Sequence, residues 1–241
     1  MKKYALITGA SGGIGRAVAQ TLAEQGYHLY LHYHLNKGSI DSLMADLSGR
    51  FGGEYVPIQA DLGRACGYKD ILPKIFGLDA IVHCGGTSVY GLFQDLTDEE
   101  AGRLFNIHTL NPILLTKALL PKLLAKKSGN IVFISSIWGE TGAACEAVYS
   151  AAKGAQISFV KALSKELAPS GIRVNAIAPG AVETAMLNQF TNTELADIAS
   201  EIPMGRLGRP DEIANGVVFL VSDLSSYITG QVLSINGGWY T

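Results

Sequence analysis

Apolar residues occur along this chain as short runs that alternate with longer stretches of helical period. The runs are almost continuously apolar, which is typical of strands covered on both faces of a sheet. The pattern predicts strands over residues 4–8, 28–33, 55–59, 80–83, 130–135, 173–177 and 232–235. It predicts helices over residues 14–25, 39–49, 68–76, 98–124, 147–168 and 211–221.

Alternating strands and helices indicate parallel strands joined by right-handed crossovers. We therefore expect an α/β fold, a Rossmann-type doubly wound parallel sheet of about seven strands with helices on both faces. No linker, repeat or low-complexity tract divides the 241 residues, so we expect one domain that both binds a dinucleotide and carries the catalytic residues. Ligands of such sheets bind beyond the carboxyl ends of the strands.

The composition of the chain limits which partners and which cellular compartment are expected. The formal net charge is -2 without a basic block, which argues against a nucleic-acid partner. Apolar stretches are too short to span a bilayer, so no membrane association is expected. The cysteines, Cys66, Cys84 and Cys145, are too widely spaced for a disulfide framework or a zinc site. A cytoplasmic protein without a metal is the expectation.

A glycine-rich turn follows the first predicted strand, and an amphipathic helix follows the turn. Glycines there allow a pyrophosphate to approach the main chain, and the helix offers it free N–H groups. The turn therefore predicts a dinucleotide site. The expected contacts from this turn are Gly9, Ser11, Gly12, Gly13, Ile14 and Gly15.

The end of the second strand favours NADP over NAD. An NAD site usually has an acid there for the ribose 2′-hydroxyl. Here the strand runs through Tyr33 into a loop with Lys37 and no acid, so a 2′-phosphate is tolerated. His28, His32 and His34 alternate onto one face, but no acid or cysteine nearby completes a metal site.

Tyr149 and Lys153 are spaced i and i+4, which places both on one face of a helix. An ammonium beside a phenol favours its ionised form and lowers its pKa, which suits a proton donor. Ser136 ends the preceding apolar strand and could hydrogen-bond a carbonyl as charge builds on its oxygen. Tyr33 and Lys37 have the same spacing, but they lie where a predicted strand passes into a loop.

Several motifs together carry a resemblance to a known family. The motifs are Thr8-Gly9-x-x-x-Gly13-x-Gly15, Ser136, Tyr149-x-x-x-Lys153, Pro179-Gly180, Gly205-Arg206-Leu207-Gly208-Arg209-Pro210-Asp211-Glu212-Ile213-Ala214, Ile228-Thr229-Gly230-Gln231 and Asn236-Gly237-Gly238. With these motifs, the chain resembles the short-chain dehydrogenase/reductases over essentially its full length, and most closely the bacterial 3-oxoacyl-[acyl-carrier-protein] reductases.

The resemblance implies roles for the matching residues. Tyr149 is expected to act as general acid, Lys153 to hold the nicotinamide ribose and lower the tyrosine pKa, and Ser136 to orient the carbonyl. Asn106 is expected to support a proton-relay water. Further implied cofactor contacts are Asp61 and Leu62 beside the adenine, Gly85, Pro179, Gly180 and Val182, and Thr184 at the nicotinamide amide.

Three departures from the family pattern bear on cofactor and substrate. The fourth strand ends His83-Cys84-Gly85-Gly86 where the family usually has Asn-Asn-Ala-Gly. Gly12 stands where the nearest branch often has an arginine for the 2′-phosphate. Ser170 replaces a basic residue expected to dock a carrier protein, although Lys126 and Lys127 remain.

The expected function is NADPH-dependent reduction of a ketone to a secondary alcohol, in the manner of a 3-oxoacyl-[acyl-carrier-protein] reductase. A divergent relative acting on another ketone, such as the aminopentanone on a modified lysine of elongation factor P, is the close alternative. The substrate would thus be a small, carrier-linked or protein-linked ketone, walled by residues 86–93 and by a lid over 184–203. The resemblance also implies a homotetramer.

Two other classes of function stay open. A non-catalytic NADP-binding sensor could use the same fold, because fold alone does not determine function. A serine hydrolase could be inferred from Ser150-x-x-Lys153 or Ser158-x-x-Lys161, but both lie within a helical pattern without companion motifs.

Overall fold

A computed structural model describes residues 2–241 of the chain. Its strands are β1 (Lys3–Thr8), β2 (Tyr27–Tyr33), β3 (Tyr55–Gln59), β4 (Ala80–His83), β5 (Gly129–Ile134), β6 (Ile172–Pro179) and β7 (Val232–Ile235). Its α-helices are α1 (Gly13–Glu24), α2 (Lys37–Arg50), α3 (Asp98–Phe105), α4 (Asn111–Lys126), α5 (Trp138–Thr141), α6 (Ala147–Leu167), α7 (Asn192–Glu201) and α8 (Pro210–Val221).

The strands form one parallel sheet in the order β3-β2-β1-β4-β5-β6-β7. This confirms the predicted Rossmann-type fold. The order reverses between β1 and β4, and the carboxyl ends of these two strands flank the crevice where such sheets bind ligands. All seven predicted strands are present, with bounds shifted by at most a few residues.

Alternate strand residues pack on opposite faces of the sheet and create two cores. On β1, Ile7 faces a core shared with α1, α2 and α8, whereas Leu6 faces a core shared with α4 and α6. On β5, Val132 and Phe133 divide in the same way. Because helices cover both faces of the sheet, the strands are almost continuously apolar.

The prediction of a helix over residues 68–76 is wrong. The chain there forms two short 3₁₀ turns, Gly67–Asp70 and Leu72–Lys74. Pro73 has no N–H to donate to a helical hydrogen bond, and Cys66, just before the first turn, has a left-handed φ of 59°. Both features prevent a continuous α-helix.

The predicted helix over residues 98–124 is broken into three parts. A π-helical turn, Asn106–Leu110, separates α3 from α4. Pro112 cannot donate to the carbonyl of His108 four residues earlier, and that carbonyl accepts a hydrogen bond from Gln156 Nε2 at 2.5 Å instead. The break sits beside the candidate site described below. Over residues 2–241, no helix combines the length and apolarity needed to cross a membrane.

Candidate active site

Strand β5 and helix α6 bring three of the expected catalytic side chains together. Ser136 follows the carboxyl end of β5, while Tyr149 and Lys153 lie on successive turns of α6. All three side chains are buried, and Ser136 lies near enough to the Tyr149 hydroxyl to lower its pKa. By contrast, Tyr33 is the last residue of β2 and Lys37 is the first residue of α2. The second tyrosine–lysine pair therefore does not lie on one helix.

Hydrogen bonds fix α6 against β5 at the reactive pair. Ser135 Oγ donates to the carbonyl of Lys153 at 3.0 Å, and Lys153 Nζ donates to the carbonyl of Ile134 at 2.7 Å. A Cβ on Gly139 would lie 2.8 Å from the carbonyl carbon of Lys153, so this glycine allows the loop and helix to meet. The ammonium lies 5.5 Å from the centroid of the Tyr149 ring.

Burial controls the protonation of the pair. It raises the pKa of Tyr149 well above its ordinary value, with a smaller upward effect from Glu146, while the Ser136 hydroxyl lowers it. Burial also lowers the pKa of Lys153 to about 7. The phenol therefore carries its proton at neutral pH, because burial and Glu146 act against the lowering of the tyrosine pKa that was expected from Lys153.

The glycine-rich turn forms a cradle that fits a pyrophosphate. A Cβ on Gly9 would lie 2.6 Å from Gly85 Cα, and a Cβ on Gly15 would collide with the Gly9 carbonyl. Gly12 precedes α1 without any side-chain cap, and Gly13 is its first residue. The first N–H groups of α1 are thus available to an anion, close to both Ser11 and the end of β4.

The region between the glycine-rich turn and the start of α2, where the ribose is expected, contains a cation that the sequence analysis did not select. Arg16 Nη1 donates to the Ser39 carbonyl at 3.3 Å, and Ser39 Oγ donates to the Ser11 carbonyl at 3.1 Å. Arg16 therefore lies between the phosphate turn and the start of α2. Lys37 is exposed and pairs with Asp41 at 2.6 Å, and the Tyr33 side chain packs in the core.

The residues expected beside the adenine form a small polar network. Asp61 accepts a hydrogen bond from Gly63 N at 2.8 Å and pairs with Arg103 at 3.3 Å. Desolvation opposes these contacts, yet they hold the pKa of Asp61 below its ordinary value. Leu62 is buried, and its carbonyl accepts from Asn111 Nδ2 at 2.7 Å.

A cavity of about 740 Å³ opens at the carboxyl ends of the strands. Ser136, Tyr149 and Lys153 line it. The predicted cofactor contacts that also line it are Ile14, Pro179, Gly180, Val182 and Thr184. Thr184 lies against α1, since a Cβ on Gly13 would be 2.8 Å from its Cγ2. The structure therefore brings three of the expected catalytic residues and the expected nicotinamide contacts together in this cavity.

Asn106 is not part of this cavity. Its Nδ2 donates to the Gly63 carbonyl at 3.0 Å, on the side of the 3₁₀ turns. The residue of this segment that reaches the cavity is His108, whose ring meets the Tyr149 ring edge-on at 5.2 Å between centroids. The π turn changes which residue faces α6, a shift that helical spacing does not reveal.

Helix α7 and the turn before it line the cavity and were expected only as a mobile lid. Phe190, Glu194 and Glu201 face it from this segment. The sequence carried a signal for the helix, because Thr191 and Glu194 form a capping box at its start. Its 3₁₀ approach, Ala185–Gln189, carries Met186 and Leu187 to the same wall.

The departures at the end of β4 are packing features. His83 is fully buried, and its Nε2 lies 2.9 Å from Thr116 Oγ1, which braces the sheet against α4. Desolvation raises the pKa of the Cys84 thiol to about 12, so it is a poor nucleophile. Within residues 2–241, no three His, Cys, Asp or Glu side chains are arranged to hold a metal ion.

The cations considered for carrier docking lie away from the cavity of their own chain. Lys126 Nζ pairs with Asp79 Oδ1 at 2.7 Å, at the edge where β4 and β5 begin. Lys127 and Ser170 also precede the amino ends of strands. The cavity lies at the opposite edge of the sheet, so these positions do not border its mouth.

Comparisons with known proteins agree with this geometry. The family model described as Enoyl-(Acyl carrier protein) reductase matches residues 9–240. The chain is 54% identical to the uncharacterized oxidoreductase YmfI of Bacillus subtilis (strain 168), over 100% of both chains. It is 36% identical to the 3-oxoacyl-[acyl-carrier-protein] reductase FabG of Escherichia coli (strain K12), over 99% of this chain and 97% of the relative.

A solved structure shows the same arrangement of the chain. The putative NAD(P) dependent gluconate 5-dehydrogenase from Beutenbergia cavernae, with bound NADP, superposes with a TM-score of 0.92. It is 30% identical, over 98% of this chain and 96% of that one. With the sheet order, the glycine cradle and the serine–tyrosine–lysine cluster, these matches show that the chain is an oxidoreductase of the short-chain dehydrogenase/reductase family.

Proposed function

We propose that this protein reduces a ketone to a secondary alcohol with NADPH, and that the reaction takes place in the cavity below α7. The observation that carries the proposal is the convergence of Ser136, Tyr149 and Lys153 on that cavity. NADPH, when bound, supplies the hydride. Every other step belongs to side chains of the protein.

The reacting carbonyl is placed by hydroxyl groups. Ser136 and Tyr149 both line the cavity, so a carbonyl oxygen there could accept hydrogen bonds from both hydroxyl groups. Charge grows on that oxygen during reduction, and Tyr149 donates its proton there. Because burial raises the pKa of Tyr149, the residue is protonated at neutral pH and is prepared for reduction rather than for oxidation of an alcohol.

NADP is favoured over NAD by the region beyond the phosphate turn. β2 ends without an acid, and Arg16 lies beside Ser11 and Ser39, where a 2′-phosphate would need a cation. Lys37 adds a weaker contribution, because its charge is shared with Asp41. The NADP bound to the structural relative from Beutenbergia cavernae supports the same choice.

A 3-oxoacyl thioester on a carrier protein is the first candidate substrate, since relatives named for that activity match almost the whole chain. A tetrameric cytoplasmic enzyme is part of this proposal. The surface gives little support for carrier docking, because the cations Lys126 and Lys127 lie at the opposite edge of the sheet. We therefore expect measurable but poor turnover of carrier-linked substrates.

A ketone that bears an amine is the second candidate, and the charges of the cavity favour it. Glu146, Glu194 and Glu201 line the cavity, and Lys153 is the one cation among its lining residues within 2–241. Tyr90 and Phe190 meet edge-on at 5.8 Å on the same wall and offer faces to a cation. An aminopentanone on a modified lysine of elongation factor P has this chemistry.

Rates of NADPH oxidation separate the candidates. The substrates are a 3-oxoacyl carrier protein, the matched short thioester, a short aminoketone and the same aminoketone N-acetylated. We expect the aminoketone to be best and acetylation to raise KM about tenfold, the value of one charged hydrogen bond. If the carrier-linked substrate is reduced orders of magnitude faster than the others, the reaction is that of fatty-acid synthesis. Activity with none of them would support the sensor function.

Glu194→Gln tests the charge directly. It should raise KM for the aminoketone about tenfold and leave the N-acetylated ketone unchanged. Glu166→Gln is the matched control, because Glu166 is an exposed residue of α6 that does not line the cavity. Equal KM changes for the charged and uncharged ketones would contradict an electrostatic role for Glu194.

A further inference from the structure

The indole of Trp239 lies in the wall of the cavity, and the proposed reaction does not yet use it. Its ring meets the Trp138 ring at 5.2 Å between centroids, with an interplanar angle of 65°, and both residues line the cavity. The main-chain N–H of Trp138 donates to Ser136 Oγ at 3.2 Å. The two indoles are therefore fixed relative to the hydroxyl that places the substrate carbonyl.

Hydrogen bonds hold the turn that carries Trp239. Asn236 Oδ1 accepts from Gly238 N at 2.9 Å, and Asn236 Nδ2 donates to the Tyr240 carbonyl at 2.6 Å. Gly237 and Gly238 have φ angles of 65° and 84°, which residues with a side chain rarely adopt. The turn thus has a well-defined conformation, and it brings Trp239 to the cavity.

Helix α7 connects two ends of the cavity. Just before the helix begins, Phe190 meets the Tyr90 ring at 5.8 Å between centroids. Just after it ends, Met204 N donates to the Gly237 carbonyl at 3.2 Å, in the turn that carries Trp239. The helix has 10 residues, so these ends lie about 15 Å apart. The sheet order agrees, because Tyr90 follows β4 and Trp239 follows β7, on opposite sides of β5.

The hydroxyl groups of Ser136 and Tyr149 lie between these ends, because Ser136 follows β5. A ketone held by these hydroxyls directs one substituent toward Tyr90 and the other toward Trp239. The amine proposed to lie beside Glu194 takes the first end, which leaves the second substituent against the indole. The hydride from bound NADPH reaches the carbonyl carbon from the nicotinamide side only. Exchanging the two substituents would therefore give the opposite enantiomer of the alcohol.

We propose that Trp239 is a specificity-determining residue: it limits the size of the substituent at the β7 end of the cavity and thereby selects the face of the ketone that is reduced. This inference rests on the proposed reduction. The indole is braced by Trp138 and by its own turn, so the wall does not yield to a larger group. A methyl group or an unbranched arm fits there, and a phenyl group does not.

Two ketones with the same amine arm test the wall. One has a methyl group on the other side of the carbonyl and the other has a phenyl group. We measure kcat/KM with NADPH and the ratio of the alcohol enantiomers. Wild type should prefer the methyl ketone at least about tenfold and form one enantiomer in at least about tenfold excess. In Trp239→Ala the phenyl ketone should gain at least about tenfold relative to the methyl ketone, and the enantiomers should approach equal amounts.

Tyr240→Ala is the matched control. Tyr240 is the next residue of the same turn, is exposed and does not line the cavity. This variant should keep the wild-type preference and the wild-type enantiomer ratio. If Trp239→Ala does not fold, Trp239→Phe keeps a smaller ring at the same place and should change both quantities in the same direction, by a smaller factor.

Three results would overturn the inference. The first is a wild type that forms both enantiomers equally. The second is an unchanged preference and enantiomer ratio in Trp239→Ala or, where that variant does not fold, in Trp239→Phe. The third is the same change in Tyr240→Ala, which would mean that the turn and not the indole determines selectivity. A wild type that reduces neither ketone refutes the proposed reduction itself, whereas an active enzyme with any of these three results refutes only the role of Trp239.

Discussion

Lys153→Met should change stability in a pH-dependent way that reports the buried amine. In the folded protein burial lowers the pKa of Lys153 from 10.5 to about 7. Between these two values the unfolded chain binds more protons than the folded one, so wild-type stability rises with pH across this window. The methionine variant lacks this group, and its stability does not share the rise.

The size of the effect follows from the two pKa values. At pH 9 the folded amine is neutral while the unfolded one is still mostly charged, and each pKa unit is worth about 1.4 kcal/mol. From pH 7 to pH 9 the free energy of unfolding of the wild type should therefore gain about 2 kcal/mol relative to Lys153→Met. The lost hydrogen bond to Ile134 does not titrate, so it cancels from this difference.

The assay is urea unfolding at pH 7, 8 and 9, at one protein concentration and without NADPH. Lys161→Met, an exposed lysine two turns further along α6, is the matched control and should show no pH-dependent difference from wild type. A difference between wild type and Lys153→Met that stays constant from pH 7 to 9 would refute the lowered pKa.

Three further predictions concern the cofactor, the thiol and the assembly. Arg16→Ala should weaken NADPH binding about tenfold in a fluorescence titration and leave NADH unchanged, and an equal loss for both would exclude a 2′-phosphate contact. The Cys84 thiol should stay unmodified by a thiol reagent at pH 8 while exposed Cys66 reacts, as mass spectrometry would show, and equal modification would contradict its raised pKa. Light scattering should report a tetramer, since Phe105, Leu110 and Leu124 are apolar yet partly exposed around α4; a monomer at micromolar concentration would contradict this.

Much of the fold was predictable because its strands are buried on both faces and its turns are rich in glycine. The cluster of Ser136, Tyr149 and Lys153 was predictable for a related reason. A strand end and one turn of helix leave little freedom in where these side chains point. That the whole chain is one domain stays a prediction.

The errors arose where the backbone departs from regular geometry. The resemblance selected Asn106, but in the π turn before Pro112 it is His108 that contacts Tyr149. The sequence analysis did not select Arg16, because its candidate role toward a 2′-phosphate depends on its contact with the start of α2. That segment lies 20 or more residues away in sequence. Lys126 and Lys127 were considered for carrier docking, whereas the sheet puts them at the edge opposite the cavity.

Transfer of a labelled hydride tests the central claim most directly. The protein is incubated with a short aminoketone and NADPH deuterated at the transferred position, and the product is measured by mass spectrometry. We predict a secondary alcohol that carries one deuterium on the former carbonyl carbon, formed by wild type and not by Tyr149→Phe. Alcohol formed equally by Tyr149→Phe, or no deuterated alcohol from this or any 3-oxoacyl substrate, would contradict the account.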